Sequence, residues 1–287
     1  MAESDTAAAT AGGAAENKPT PVNVKTVGLQ LYTLRDVIGD DVKGALSKVS
    51  QAGYADVETF GYSKDKGFWG LDPKAFKQAL DNSNLISSSG HYGMEDFLVK
   101  GDEDLIKHYA EVGNAVGQTY ITCPWLPEQL RQTAADYKAL SKKLNRAGEI
   151  LKDANLQLAY HNHNFEFQKV GDTTGYDIML QETDPDLVKF EADLYWVVRA
   201  GKDPLALFQE APGRFVMWHV KDMDKNQQDL NTEVGNGSID YKKIFNQGND
   251  SGVKRIFMEQ ENFASNMDPY KSIAQSASYI KNTLLQA

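Results

Sequence analysis

The sequence has little cysteine, no long apolar run and no cluster of basic residues. Cys123 is the single cysteine in 287 residues, which excludes a disulfide within the chain and a metal site built from several of its cysteines. No apolar run approaches the roughly 20 residues that a membrane-spanning helix needs. The net charge is -10, so a phosphate backbone would be repelled. We therefore expect neither a nucleic-acid nor a membrane partner, and homo-oligomerisation stays open.

The first 25 residues differ from the rest of the chain. They are rich in Ala, Gly, Thr and Pro and show no apolar period, which is typical of a disordered leader or linker. They lack the basic segment and apolar core of a signal peptide, yet a tail of this kind often follows an export signal. We expect one folded domain over 26–287. The protein is expected to be soluble and exported, with a periplasmic location.

From Val27 onward, short β-rich runs alternate with longer stretches of helical period. The predicted strands are 27–32, 55–60, 85–91, 119–124, 156–161, 187–193, 214–220 and 254–260. Eight strands alternating with helices in about 260 residues predict a parallel sheet, and eight βα units are the number that closes a (β/α)8 barrel. The alternative is a doubly wound open sheet. It would have a Gly-rich phosphate turn after the first strand, and the turn YTLRDVIGDD contains no such pattern.

Four consecutive predicted strands end in pairs of ionisable residues spaced two apart. Residues i and i+2 of a strand point to the same face, and a barrel carries its chemistry at the carboxyl ends of its strands. The pairs are His161 and His163, Glu191 and Asp193, His219 and Lys221, and Glu259 and Glu261.

A single His or Glu at a strand end is as often a structural residue or a helix cap as a ligand. Four such pairs in succession are hard to explain in that way, because buried like charges disfavour one another unless a positive charge lies among them. A divalent cation is the simplest source of that charge, since His, Asp and Glu form a usual ligand set.

Motifs in the second half of the chain resemble the sugar phosphate isomerase/epimerase family of xylose-isomerase-like TIM barrels, whose superfamily includes apurinic endonuclease IV and inosose dehydratase. The family's LALENH segment at strand 5 is here LAYHNH, and its LDTGH segment at strand 6 is EADLYW. Its HxKD motif is HVKD at 219–222. A GxGxID turn, here GNGSID at 235–240, and the Glu of FMEQEN follow. The order of the last three motifs is fairly specific, and the resemblance covers essentially all of 27–287.

The resemblance places the metal ligands at His161, Asp193, His219 and Glu259. Three of the four match the family in residue type, whereas the family has Glu where this chain has His161. Two imidazoles and two carboxylates suit Mn, Zn, Co or Fe better than Mg. The sequence leaves open whether His161 or His163 is the ligand.

The resemblance also implies proton abstraction next to a sugar carbonyl, as in a metal-dependent isomerase or epimerase working through an enediolate. Family epimerases use two glutamates for this step, at the positions of His161 and Glu259. With His161 in place of one glutamate the pair becomes asymmetric. We therefore expect catalytic roles for His161, Glu259, His163 and Lys221, and we keep a lyase or dehydratase acting on a keto sugar or 3-keto-glycoside as the alternative.

Further polar and aromatic residues follow the predicted strands and are candidates for substrate contact, because aromatic rings pack on sugar faces. The candidates are Glu58, His91, Tyr92, Trp125 and Glu261. Arg35 apart, no concentrated basic site is present for a phosphate, so a neutral or keto sugar is the expected ligand. A non-catalytic sugar-binding barrel remains an alternative. A DNA-repair endonuclease is disfavoured by five histidines and the acidic net charge.

Overall fold

The structure is a computed structural model that describes residues 20–263 and 267–286. Most of the predicted leader lies outside the described residues, and only its last six positions fall within them. At that point the Val22 N–H donates a 2.9 Å hydrogen bond to the Phe245 carbonyl. The chain enters the fold against the helix that contains Phe245.

Eight parallel strands form one closed barrel, in which the first strand pairs with both the second and the last. The predicted (β/α)8 barrel is confirmed and the open sheet is wrong. The strands are β1 Gly28–Gln30, β2 Asp56–Thr59, β3 Ile86–His91, β4 Tyr120–Cys123, β5 Gln157–His161, β6 Val188–Asp193, β7 Met217–Val220 and β8 Arg255–Met258. Most lie within two residues of the predicted bounds, and only β7 begins three residues later than expected.

Helices surround the barrel, and none in the described residues is long and apolar enough to cross a membrane. Most of them begin at side-chain caps that satisfy free N–H groups, such as Asp41 before α1, Asp72 before α2 and Thr133 before α5. The helices are α1 Val42–Gln51, α2 Pro73–Asn82, α3 Glu95–Lys100, α4 Glu103–Val116, α5 Ala134–Asp153, α6 Gly175–Glu182, α7 Leu194–Arg199, α8 Pro204–Glu210, α9 Tyr241–Gln247 and α10 Pro269–Tyr279. A π-helical turn, Ile280–Leu284, extends α10.

The interior of the barrel has an apolar floor. Ala159, Met217 and Phe257 are fully buried and form a cluster with Tyr120 and Val216 that is separate from the main core. Two residues further along their strands, the same inward face carries His161, His219 and Glu259. The period of two therefore places ionisable groups directly above an apolar floor that excludes water.

The GNGSID turn is organised by one buried carboxylate, Asp222. Its oxygens accept the backbone N–H groups of Met223, Gly235, Gly237 and Ile239 at 2.9–3.2 Å. Gly235 has φ +97°, and a Cβ on Gly237 would lie 2.1 Å from Asp222 Oδ1. Both glycines are required for this close approach. The turn ends at Asp240, whose side chain accepts the Lys243 N–H and caps α9.

We expect Gly237→Ala to destabilise the protein by about 1–3 kcal/mol, because the added methyl group collides with Asp222 and releases the N–H groups it holds. Urea denaturation measures this change. Gly39→Ala is the control, since a Cβ there meets nothing within 4 Å, and it should change stability by less than about 0.5 kcal/mol. Equal effects of the two variants would contradict this account of the turn.

Candidate functional site

The strand-end pairs of β5 to β8 converge at the carboxyl end of the barrel. One nitrogen or oxygen from each of His161, Asp193, His219 and Glu259 lies within 4.8 Å of the others, and all four side chains are buried. The barrel register produces this convergence, because Asp193 is paired with His219 across β6 and β7. The four residues are those that the resemblance implies as ligands, and we call them the ligand set.

The spacing of these atoms suits a metal ion. Nδ1 of His219 lies 3.3 Å from Oε2 of Glu259 and 3.8 Å from Oδ2 of Asp193. Oδ2 of Asp193 is 3.4 Å from Nε2 of His161. Ligand atoms held at about 2.0–2.2 Å in tetrahedral geometry lie roughly 3.4 Å apart. Nδ1 of His219 and Nε2 of His161 are also buried and lack a hydrogen-bond partner, and Asp193 Oδ2 makes no hydrogen bond besides its ion pair with Lys221, so a cation fits this donor set.

Backbone and amide contacts hold the two strand ends that carry these groups. The other oxygen of Asp193 accepts the Trp196 N–H at 3.0 Å and caps α7, which starts directly after β6. Asn162 is fully buried, and its Oδ1 accepts the Asp193 N–H at 3.2 Å. The end of β5 is thereby tied to the end of β6, with Asp193 Oδ2 left facing the ligand set.

Lys221 lies among the acidic groups of the site and is fully buried. Its Nζ is 3.0 Å from Asp193 Oδ2, 2.7 Å from Glu259 Oε2 and 2.6 Å from Glu261 Oε1. The Tyr241 hydroxyl donates to the Lys221 carbonyl at 2.7 Å and accepts its N–H at 3.0 Å, which fixes the backbone at the end of β7. Lys221 therefore neutralises carboxylates on β6 and β8, and it does not line the cavity.

The charges of these groups follow from their neighbours. Burial alone would raise the pKa of Asp193, but nearby Lys221 lowers it to about 2. Lys221 and His219 likewise outweigh burial and hold the pKa of Glu259 well below its usual range. Burial lowers the pKa of His161 to about 4. At neutral pH the set offers two carboxylates and a neutral His161, which is the ligating form.

A second layer of polar groups lies below the ligand set and includes Glu58. Oε2 of Glu58 accepts from Gln30 Nε2 at 2.8 Å and lies 2.6 Å from His219 Nε2. Its Oε1 accepts from the Ser89 hydroxyl at 2.6 Å. Glu58 is completely buried and does not line the cavity, so the predicted substrate contact is wrong. The side chain is held inside the barrel by three neighbours and orients the imidazole of His219 instead.

His91 and Glu191 complete this lower layer. Nε2 of His91 lies 2.8 Å from Oε2 of the buried Glu191 and 3.3 Å from Oε2 of Glu58. Nε2 of His219 is 3.4 Å from the other oxygen of Glu191. Burial opposes the charged imidazole, but the two carboxylates raise the pKa of His91. The side chain of His91 reaches the cavity, as the sequence predicts for a substrate-facing residue.

Tyr92 does not reach the site, and its predicted substrate contact is wrong. It follows His91 directly, so its side chain points to the opposite face of the chain. Tyr92 is buried, and its hydroxyl donates to Gln118 Oε1 at 2.7 Å. Its ring packs on Tyr109 on the outside of the barrel.

The cavity above the ligand set measures about 440 Å3 and combines aromatic walls with a few polar groups. Trp125 and Glu261 line it at the positions expected for substrate contact, and the Trp125 side chain is 49% exposed. Among the described residues that line the cavity there is no Lys or Arg. The lining residues are Tyr32, Phe60, Gly61, His91, Gly93, Pro124, Trp125, His161, His163, Trp196, Glu259 and Glu261.

His163 also faces the cavity, beside the ligand set rather than within it. Its ring stacks on Phe165 at 5.6 Å between centroids and contacts the edge of Trp125 at 4.8 Å. Burial lowers the pKa of His163 well below its usual value. Within the described residues two groups are spaced for metal binding, the ligand set and a second group of His91, His161, Glu191 and His219. His161 belongs to both groups and His163 to neither.

Glu166 is the residue of this region whose role the sequence does not reveal. Both of its oxygens accept the His163 backbone N–H, at 3.0 and 3.1 Å, and one also accepts the Tyr160 hydroxyl at 2.6 Å. Glu166 is fully buried, and burial raises its pKa to about 7. In the sequence, the one signal of its burial is that it is a lone acid in the aromatic segment NFEF. In the structure, Glu166 fixes the turn that presents His163.

Comparison with known proteins agrees with this architecture. An inosose dehydratase from Lacticaseibacillus casei is 25% identical over 276 residues, which is 84% of this chain and 89% of the relative. A crystal structure of a sugar phosphate isomerase/epimerase from Parabacteroides distasonis has a TM-score of 0.80 and 28% identity, and covers 91% of this chain and 95% of its own. A structure of the IOLI protein with a bound zinc atom has a TM-score of 0.71 at 11% identity, covering 91% of this chain and all of its own, and shows likeness of fold.

The family model that describes the xylose isomerase-like TIM barrel matches residues 46–283. This span contains β2 to β8 and every residue of the ligand set and of the lower layer except Gln30. The likeness therefore includes the strand ends that build the site as well as the fold. The chain belongs to the xylose isomerase-like TIM barrel family.

Proposed function

We propose that this protein is a metal-dependent enzyme that removes the proton next to the carbonyl of a neutral keto sugar and then expels the substituent on the following carbon. The observation that carries the proposal is the asymmetry of the site. On β5 both inward residues are imidazoles, and the carboxylates that line the cavity, Glu259 and Glu261, both follow β8 and both contact Lys221.

A divalent metal would be held by His161, Asp193, His219 and Glu259, and Mn, Zn, Co or Fe suits this nitrogen and oxygen set better than Mg. When bound, such an ion polarises a carbonyl oxygen and stabilises the negative charge that develops on it. The unpartnered ring nitrogens of His161 and His219 support this assignment. Lys221 keeps the surrounding acids ionised and in place.

His163 is the proposed general base. It lines the cavity next to His161, with ring centroids 5.0 Å apart. Its lowered pKa keeps the imidazole neutral at physiological pH, which is the form that accepts a proton. The carboxylate of Glu166 and the ring of Phe165 fix its position, so the acceptor is oriented before substrate enters.

Elimination is favoured over epimerisation because epimerisation needs a second base on the opposite face of the substrate carbon. The carboxylate that family epimerases provide on strand 5 is replaced here by His161. The relatives named inosose dehydratase also support loss of a leaving group, since a dehydratase removes water in this way. The keto-sugar lyase or dehydratase is therefore preferred to the isomerase or epimerase.

An isomerase or epimerase remains the second candidate, because the structural relative from Parabacteroides distasonis carries that name at 28% identity. A phosphorylated substrate is disfavoured for either reaction. The cavity lining among the described residues carries two carboxylates and no Lys or Arg, so no side chain of that lining would offer a phosphate an opposing charge. Its exposed Trp125 and Tyr32 instead suit the apolar faces of a neutral sugar.

We expect Glu259→Gln to weaken metal binding by about 100-fold or more, because the change removes a charged ligand while keeping its size. Metal content after dialysis, measured by mass spectrometry, reports the effect. Glu261→Gln is the matched control, since Glu261 contacts Lys221 but is absent from the groups spaced for metal binding. Equal retention of metal by the two variants would place the ion elsewhere.

We expect Glu166→Gln to stabilise the protein increasingly as pH rises from about 4.5 to about 7. The folded pKa of Glu166 is raised to about 7 from the ordinary 4.5, so the wild-type contribution to stability is present at low pH and is lost as the buried carboxyl ionises. The amide copies the protonated form. The difference in free energy of unfolding should approach an order of 3 kcal/mol above pH 7.

Urea denaturation at pH 5 and pH 8 measures this difference between the Glu166→Gln variant and the wild type. Glu111→Gln, on the exposed surface, serves as the control for a glutamate that is 81% exposed. If the difference in free energy of unfolding between wild type and Glu166→Gln is the same at both pH values, Glu166 is not held as a protonated acid.

We expect the Mn-loaded protein to release the alcohol from a 3-keto-glycoside, and to exchange deuterium from solvent into the α-carbon of the matching 1,5-anhydro keto sugar, which has no exocyclic leaving group. NMR follows both reactions. His163→Gln should lower both rates by about 10²–10⁴-fold while metal content stays unchanged. Exchange with epimer formation and no release would favour the isomerase, and absence of both reactions would exclude proton abstraction from these sugars.

A further inference from the structure

We propose that His91, oriented by Glu191, is the general acid that protonates the departing oxygen of the substrate. The inference rests on the proposed elimination and adds a second proton-transfer residue to it. Neither the resemblance nor the family match assigns this role, and the sequence predicts only a substrate contact for His91.

The geometry is that of a histidine held by a buried carboxylate. Nε2 of His91 lies 2.8 Å from Oε2 of Glu191, and Glu58 Oε2 lies 3.3 Å away. Both carboxylates are completely buried. This partner fixes which nitrogen of the ring faces inward, as the carboxylate does in other proton-transfer pairs. Nε2 of His91 therefore faces Glu191 and Glu58 and does not face the cavity.

The opposite edge of the ring is free to act on substrate. Nδ1 of His91 has no hydrogen-bond partner among the described residues and is not among their buried polar atoms that lack one. The side chain is 11% exposed and lines the cavity. The ring also stacks on His219 with centroids 5.3 Å apart at 17°, so it cannot swing away from this position without losing that contact.

His91 and His163 flank the ligand set. Their ring centroids lie 4.9 Å and 5.0 Å from that of His161, respectively. His91 is the last residue of β3 and His163 follows β5, so the two rings reach the cavity from separate strands. A substrate held above His161 therefore meets one imidazole near its α-carbon and the other near the substituent on the next carbon.

The proposed elimination takes one proton from the substrate and delivers another to it. His163 takes the α-proton, and the C–H electron pair becomes the C–C double bond of the enone. The bond from the next carbon to the substituent oxygen breaks, and that oxygen takes the electron pair of the bond and a proton from Nδ1 of His91. The products are an unsaturated keto sugar and an alcohol. Return of a proton from His163 to His91 through solvent resets both residues, and no oxidant or reductant is needed.

Leaving-group dependence tests this role. Two 3-keto-glycosides of one sugar are compared with the Mn-loaded enzyme, one that releases methanol and one that releases 4-nitrophenol. Protonation matters for methoxide, which is a strong base, and matters little for 4-nitrophenoxide. We expect His91→Gln to lower kcat/KM by about 10²–10⁴-fold for the methyl glycoside and by less than about tenfold for the nitrophenyl glycoside.

Deuterium exchange into the 1,5-anhydro keto sugar separates this inference from the proposed function. His91→Gln should retain that exchange, because His163 performs it. Glu191→Gln should show the same selective loss as His91→Gln, since it removes the positioning carboxylate, and it provides a second variant should His91→Gln fail to fold. His108→Gln is the matched control, because His108 lies outside the site and contacts the Tyr62 hydroxyl.

Equal losses for both glycosides, or loss of exchange together with release, would overturn the assignment of His91 as the acid. A wild-type protein that neither exchanges nor releases would overturn the proposed function and this inference with it. Metal content and the circular dichroism spectrum of each variant show whether a loss comes from the ion or from the fold. A leaving-group effect with both unchanged supports the acid role.

Discussion

The need to compensate buried charge governs the carboxyl end of this barrel. Carboxylates removed from water are costly unless positive or donating groups surround them. Here they are arranged in two layers. Glu58 and Glu191 lie below, against His91 and His219, and the upper carboxylates gather around Lys221. His219 belongs to both layers, because its Nε2 faces the lower acids while its Nδ1 faces the ligand set.

This arrangement favours a cation at the ligand set. The lower acids and Glu259 raise the pKa of the buried His219 well above its ordinary value, despite its burial. Those acids demand positive charge at this position, and a divalent ion beside Nδ1 would supply it. Glu58 would then accept the proton on Nε2 and hold the ring in the ligating tautomer. The lower layer is thus the support on which the proposed metal site depends.

The same constraint shapes the chemistry of the cavity. Lys221 is paired with three acids, so it is not free to bind a phosphate, and the cavity lining is rich in aromatic side chains. Imidazoles on β3 and β5 remain available to move protons. One is held by Glu191 and the other by a turn anchored on Glu166. Acid and base roles follow from these different surroundings, as they do wherever neighbours push two similar groups toward opposite protonation states.

The amino-acid sequence by itself determined the eightfold alternation of strands and helices, the inward face of each strand and the four strand-end pairs. Local periodicity carries that information, because a period of two assigns a face to every residue of a strand. The resemblance of the motifs to the sugar phosphate isomerase/epimerase family, and not periodicity, selected His161, Asp193, His219 and Glu259 from those pairs. Only the tertiary structure decided how deep each group lies and which partner it meets. Glu58 faces inward as expected but is sealed by Gln30 and Ser89, since depth depends on the stagger between strands from distant parts of the chain. Periodicity along one strand contains no information about that stagger.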